Sequence, residues 1–212
     1  VIIPVGPGHE ELHKAAVLSV KIASDNPGVF DQIKVLVAND IKGEIGRSAA
    51  RNGAVLQSDE DSDWLFFLDA DDLMHPEAFE SVSELVKDVM VVAIFGNIWE
   101  MREGVAHWRY QVPIINYYRE LLRYDPYLTL QMGHFVRREV AIKLPFNEEM
   151  NTGEDWDYYL RLWKGHDCIK IREPLMLNRR GMHSTGPRSA TGRDWTIAVN
   201  KMIEEARNEQ DC

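Results

Sequence analysis

Residues 64–72 read WLFFLDADD, five consecutive apolar side chains running straight into three carboxylates within four positions. Successive side chains of a strand point to opposite faces, so a strand apolar throughout needs cover on both. Trp64–Leu68 therefore reads as a strand in the middle of a parallel sheet, with helices above and below. Asp69, Asp71 and Asp72 fall at its carboxyl end, the edge of an open parallel sheet where ligands gather.

The flanking sequence supplies the other layers. Val1–Val5 is a short buried strand. Leu12, Ala15, Ala16, Ser19, Val20 and Ala23 recur at helical spacing until Asn26-Pro-Gly stops them. Ile33–Val37 is a second strand, and Ser48–Leu56 a second helix. The run Ser58–Asp63 is a solvated loop, and Pro76 opens a helix that reaches Lys87. Up to there the order is β-α-β-α-β-α, an open parallel sheet with helices on both faces. Beyond it, strands are expected over Val89–Phe95, Val105–Val112 and Gly133–Arg137, and extended pieces over Ile169–Arg172 and Leu175–Asn178. Helices are expected over Tyr117–Arg123, Asp155–Trp163 and Trp195–Arg207. With no repeat and no linker, the reading is one mixed α/β domain.

Composition narrows the function. A net charge of −10 leaves no basic stripe for phosphate backbones and argues against nucleic acid. No apolar run is long enough to span a membrane, and no signal peptide is visible. Cys168 and Cys212 form no disulfide framework and fit a reducing compartment, so a cytoplasmic location is expected.

Three acidic elements compete for the chemistry. His9, Glu10 and His13 spell H-E-x-x-H, the zinc metalloprotease pattern. However, Pro7-Gly8 places His9 at or before the first helical turn, and no third ligand follows at the expected spacing. Glu10 and Glu11 have a plainer role beside a helix N-terminus. Asp69, Asp71 and Asp72 repel one another, and such a cluster is easiest to keep with a divalent cation. Their pattern is also similar to the strand end of haloacid-dehalogenase phosphohydrolases, with Asp69 and Asp71 as nucleophile and acid. Those enzymes place this strand first and carry Thr or Val where Leu73 stands. The third element, Gly153-Glu-Asp-Trp-Asp157, heads a helix whose dipole should keep Asp155 ionised, as a general base requires.

Six segments in order resemble the family-2 inverting glycosyltransferases of the GT-A fold: IIPV, GRSAARNGAV, WLFFLDADDLMHPEAF, GHFVRREV, FNEEMNTGEDWDYYLRLW and RRGMHSTG. The resemblance runs from Val1 to about Arg188. It implies a Rossmann-like, mixed and mostly parallel sheet flanked by helices. Residues 1–100 would bind the nucleotide-sugar, 101–190 the acceptor, and 191–212 would form a closing helix. It further implies contacts to the donor from Pro4, Val5, Gly6, Asn39, Asp40, Arg51, Asn52, Asp69 and Ala70. A metal, Mn²⁺ or Mg²⁺, would be held by Asp71 and Asp69, with His183 close by. Asp155 would be the catalytic base, supported by Glu154. The implied donor is UDP-linked and the acceptor a hydroxyl on a glycan, a lipid-linked or a small molecule. Two departures stand out: Gly6-Pro-Gly-His-Glu10 replaces an aromatic-Asn-x-Glu turn, so no aromatic stacks on the base there, and Asn39-Asp-Ile-Lys42 replaces D-D-G-S.

Overall fold

The computed structural model describes residues 1–110, 113–179 and 192–210. In chain order its elements are β1 (Ile2–Val5), α1 (Leu12–Ala23), β2 (Leu36–Asn39), α2 (Arg47–Gln57), β3 (Trp64–Phe67), β4 (Leu73–Met74) and α3 (Ala78–Val82). A 3₁₀ turn (Leu85–Lys87) precedes β5 (Ala93–Arg102), β6 (Val105–Tyr110), α4 (Tyr118–Leu121) and α5 (Pro126–Thr129). The chain continues through β7 (His134–Arg137), α6 (Arg138–Lys143), α7 (Glu154–Gly165), β8 (Cys168–Arg179) and α8 (Gly192–Asn208). The strands form one eight-stranded sheet in the order β2-β1-β3-β7-β5-β8-β4, with β6 on β5.

The apolar run behaves as its pattern demands. Leu65 and Phe67 of β3 face one core with Ile2, Phe95, Val136 and Tyr158. Phe66 and Leu68 face the other with Ile3, Val5, Ile94 and Phe135. Phe66, Phe67 and Leu68 are buried almost completely, and each such side chain contributes roughly 1.5–3 kcal/mol relative to exposure. Helices α2, α6, α7 and α8 supply buried residues to the first core, while α1 and α3 supply them to the second.

The sheet is mixed. β2, β1 and β3 are parallel, but β7 enters antiparallel beside β3 and antiparallel again beside β5. β8 returns parallel to β5. β3 thus has one parallel and one antiparallel neighbour and is not centred among parallel strands. Both of its faces are buried either way, so an apolar run cannot tell these arrangements apart.

Several boundaries move, each for a physical reason. β2 starts at Leu36, not Ile33, where its parallel ladder with β1 begins, Leu36 opposite Ile2. The helix expected over residues 76–87 breaks after Val82. Ser83 Oγ donates back to Phe79 O at 3.1 Å and accepts the Val29 N–H at 3.2 Å, a side-chain competition that ends helices. A Cβ at Gly28, which has φ +58°, would stand 1.9 Å from that same Ser83 Oγ. β5 begins later than expected, leaving Val89 and Met90 exposed, and runs through Gly96 to Arg102. Gly96 does not end the strand; it lets β8 approach, since a Cβ there would lie 2.6 Å from Glu173 O. The two extended pieces after Cys168 are one strand, β8. β4, α5 and α6 are additions that no periodicity marks.

Candidate active site

A cavity of about 650 Å³ opens over the carboxyl ends of β1 and β3 and beside that of β2. The Asp69–Asp72 turn forms part of its wall. Helix α2 brings Arg51 and α7 brings Glu154 and Asp155. β8 contributes Asn178 and Arg179, and the first turn of α8 contributes Trp195.

The three aspartates are chemically unequal. Asp69 accepts from Arg51 Nη2 at 2.6 Å. Asp72 is buried, taking the Asn178 amide and the Arg179 N–H on Oδ1, each at 2.9 Å, and the Gln131 amide on Oδ2 at 3.3 Å. Burial, then Asp71 and Asp69, raise its carboxyl well above the ordinary range. Asp71 keeps 17% of its side chain exposed, with His9 Nε2 at 4.0 Å from Oδ2. Burial and then Asp69 push Asp71 up to about 7. The Arg179 guanidinium donates to the main-chain oxygens of Asp71, Ala70 and Leu12, at 2.5, 3.2 and 3.1 Å, and ties the turn to α1.

Arg51 joins the two acidic elements. Its Nη1 lies 3.4 Å from Glu154 Oε1, which also meets Arg47 Nε at 3.3 Å. Burial works against the Arg51 charge, yet Asp69 and Glu154 outweigh it and hold the guanidinium proton more tightly than usual. Asp155 accepts from the Trp156 N–H at 2.9 Å and from the Trp195 indole N–H at 3.2 Å. The helix dipole alone would lower its pKa. Burial, then Glu154, prevail instead and push it up to about 7, a value suited to a group that must take up a proton near neutral pH.

Among the expected donor contacts, Pro4, Val5, Gly6, Asp40, Arg51, Asp69 and Ala70 line the cavity. Asn39 and Asn52 lie outside its lining. Asn39 is exposed at the end of β2, and Asn52 bridges to Phe146 through both main-chain groups and to the Glu148 carboxylate. Asp40 accepts the N–H groups of Glu44, Ile45 and Gly46 at 2.8, 3.3 and 2.7 Å. Much of its hydrogen-bonding capacity therefore shapes its own loop. His183 lies outside the described residues, as does Cys212. Sequence reading passed over Arg47, Arg109, Tyr127, Gln131, Asn178, Arg179 and Trp195, all in the lining. Arg47 lies in the GRSAARNGAV segment and Arg179 opens RRGMHSTG, so both could have been found there; the others carry no local signal.

Among the described residues, Asp69, Asp71 and Asp72 are the group of His, Cys, Asp and Glu side chains that can converge on an ion, with ligand oxygens within 4.8 Å of one another. An all-oxygen donor set suits Mg²⁺ or Mn²⁺. Asp71 and Asp69 fit that role, whereas Asp72 is already committed. His9, Glu10 and His13 form no such group. α1 starts at Leu12, leaving His9 and Glu10 upstream of the helix, and Glu11 pairs with Lys14 at 2.6 Å without a capping bond. No helix among the described residues is long and apolar enough to cross a membrane.

The sequence matches the family described as Glycosyl transferase family 2 over residues 21–144, more than half of the chain. The chain belongs to this glycosyltransferase family. No curated protein sequence matches it significantly. Its fold is similar to that of S. aureus TarS 1–349 crystallised in complex with UDP-GlcNAc, with a TM-score of 0.64 and 13% identity, over 95% of this chain and 64% of that one. TarS 1–349 in another crystal structure gives a TM-score of 0.58 at 12% identity, over 84% and 59% of the two chains. Mannosyl-3-phosphoglycerate synthase from Rubrobacter xylanophilus gives 0.54 at 16% identity, over 100% and 76%. The family 2 domain thus spans about three fifths of the TarS chains it resembles. Family membership displaces the phosphohydrolase and zinc protease readings of the same residues.

Proposed function

We propose that this family 2 domain moves a sugar from a UDP-linked donor to a hydroxyl acceptor with inversion at the anomeric carbon. The observation that carries the reading is one cavity that joins the Asp69–Asp72 strand end to Asp155 at the head of α7. The TarS structure of similar fold holds UDP-GlcNAc, which supports the choice of nucleotide. Pro4, Val5 and Gly6 border the place for the base and ribose, with no aromatic to stack there.

Asp71, with Asp69, would hold the divalent cation, whose chemistry is to neutralise charge on the departing diphosphate. Arg51 holds Asp69 and Glu154 apart from each other's repulsion and keeps both acidic elements in register. Asp155 takes the proton of the acceptor hydroxyl as that oxygen bonds to the anomeric carbon and the carbon–phosphate oxygen bond breaks. One displacement from the face opposite the diphosphate inverts the configuration. His183 is proposed to approach the diphosphate, and the acceptor to enter from the side of residues 101–190.

A panel of nucleotide-sugars with Mn²⁺, read by thermal shift and slow donor hydrolysis, tests this. One nucleotide should stabilise the protein in a metal-dependent way and be hydrolysed. Hydrolysis of simple phosphate esters without nucleotide preference would reject the reading.

A further inference from the structure

We propose that Trp195 is a positioning residue for Asp155, its indole N–H holding the carboxylate at the cavity wall. The proposal rests on the reading of Asp155 as the base. Three observations carry it.

The first is geometric. Trp195 Nε1 lies 3.2 Å from Asp155 Oδ1 and 3.4 Å from Oδ2. The partner along the chain, the Trp156 N–H, donates at 2.9 Å to Oδ1 as well. Among the described residues the indole is the one donor to Oδ2, so it is the contact that spans both oxygens and limits rotation of the carboxylate.

The second is how α8 is anchored. Val199, Ile203 and Ala206 of α8 are buried in the core shared with α7. Gly153, at φ +75°, lets this helix come close to the start of α7. A Cβ there would meet Met202 Cε at 3.0 Å, Val199 Cγ2 at 3.4 Å and Ala198 Cβ at 3.5 Å. The glycine preceding Glu154 and Asp155 therefore permits the packing that delivers Trp195. The third is location: Gly192, Trp195 and Thr196 line the same cavity as Asp155, so the first turn of α8 is part of the site wall and not only a cover over the core.

Electrostatics give the contact a chemical consequence. Facing Asp155 among the described residues are Glu154 on its own helix, Arg51 from α2, Tyr159 one turn on, and Trp195 from α8. Arg47 acts at one remove, through Glu154. Burial and Glu154 favour the protonated carboxyl, while Trp156, Trp195 and Arg51 favour the anion. Removing the indole N–H removes a donor that only the anion uses fully.

Two measurements test the role. In ¹⁵N NMR, the Trp195 indole N–H, identified by its loss in Trp195→Phe, should titrate in the native protein with a midpoint near the Asp155 value of about 7. That titration should vanish in Asp155→Asn. An indole signal that does not move with pH, or moves equally in Asp155→Asn, overturns the proposal without need of substrate. In turnover, Trp195→Phe should move the acid limb of the pH–kcat profile upward by roughly one unit, the size of one hydrogen bond to a charged group. Its affinity for UDP with Mn²⁺ should stay unchanged. If Asp155→Asn is inactive while Trp195→Phe keeps an unmoved profile, the Trp195 proposal alone fails. If Asp155→Asn turns over normally, the base assignment fails and takes the positioning role with it.

Discussion

Arg51 Nη2 and Asp69 Oδ1 meet at 2.6 Å and join the middle of α2 to the turn after β3. The same guanidinium faces Glu154 at 3.4 Å and lies over the Phe146 ring at 5.2 Å. One buried cation thus offsets an acid from each half of the chain. Asp71, 17% exposed, is left as a carboxylate of the turn whose own oxygens make no ion pair with a guanidinium among the described residues.

Replacing Arg51 tests that linkage. Arg51→Met should destabilise the domain by about 3–5 kcal/mol, because it strands two acids in a site with little solvent. Urea denaturation measures the loss. Arg51→Lys should recover only part of it, since an ammonium cannot span Asp69 and Glu154 as a planar fork does. A variant as stable as wild type would show that the two acids need no shared cation.

Asp71→Asn should abolish metal-dependent affinity for UDP while leaving the melting temperature nearly unchanged. Calorimetric titration with UDP and Mn²⁺ is the measurement. Glu60→Gln, in the exposed loop after α2, serves as the control and should bind as wild type does. Equal affinity in Asp71→Asn would remove Asp71 from the proposed metal site.

Asp155→Asn keeps the size of the side chain and cannot accept a proton. The expected fall in kcat is about 10²–10⁴-fold, with donor affinity intact. Because Asp155 sits at about 7 in the fold, above a free carboxyl, native turnover should rise as pH increases through that value. Its stability contribution has the opposite sense. It is complete below the unfolded pKa near 4 and is lost as pH rises toward 7. Asp155→Asn should therefore gain melting temperature relative to wild type between pH 4 and 7. Near-normal turnover with a lowered melting point would leave Asp155 as a helix cap worth about 1 kcal/mol.

Lys170 gives a pH prediction remote from the cavity. It is fully buried on β8, its ammonium donating to Gly96 O at 2.6 Å, and burial lowers its pKa to about 7. The unfolded chain holds this proton up to about 10.4. Stability from Lys170 is thus present above that value and lost as pH falls toward 7. Melting curves of wild type and Lys170→Met should diverge in favour of wild type between pH 7 and 10. Parallel curves would mean that the lysine reaches water in the folded state.

The legible part of the fold is what short-range chemistry dictates. Trp64–Leu68 announces burial on both faces, and Phe66 and Phe67 do enter opposite cores. The DADD turn and the GEDWD helix start are continuous segments whose charge density is visible in the chain, and both line the cavity. Gly96 shows the limit of such reading. As a glycine in an apolar run it looks like a stop, yet its lack of a side chain serves the approach of Leu175 and Glu173 from β8.

What the sequence by itself determined was a layered α/β chain with two acidic elements. A strand's alternation, a helix's period and the repulsion of adjacent carboxylates all act between neighbours. Tertiary structure alone decided that β7 runs antiparallel beside β3, that Arg51 pairs with acids 18 and 103 positions away, and that Trp195 reaches back 40 residues to Asp155. It also decided that burial, then Glu154, push the Asp155 carboxyl up to about 7 where the helix dipole alone would lower it. Desolvation depends on everything packed around a group, and a helix dipole read from one segment cannot report it.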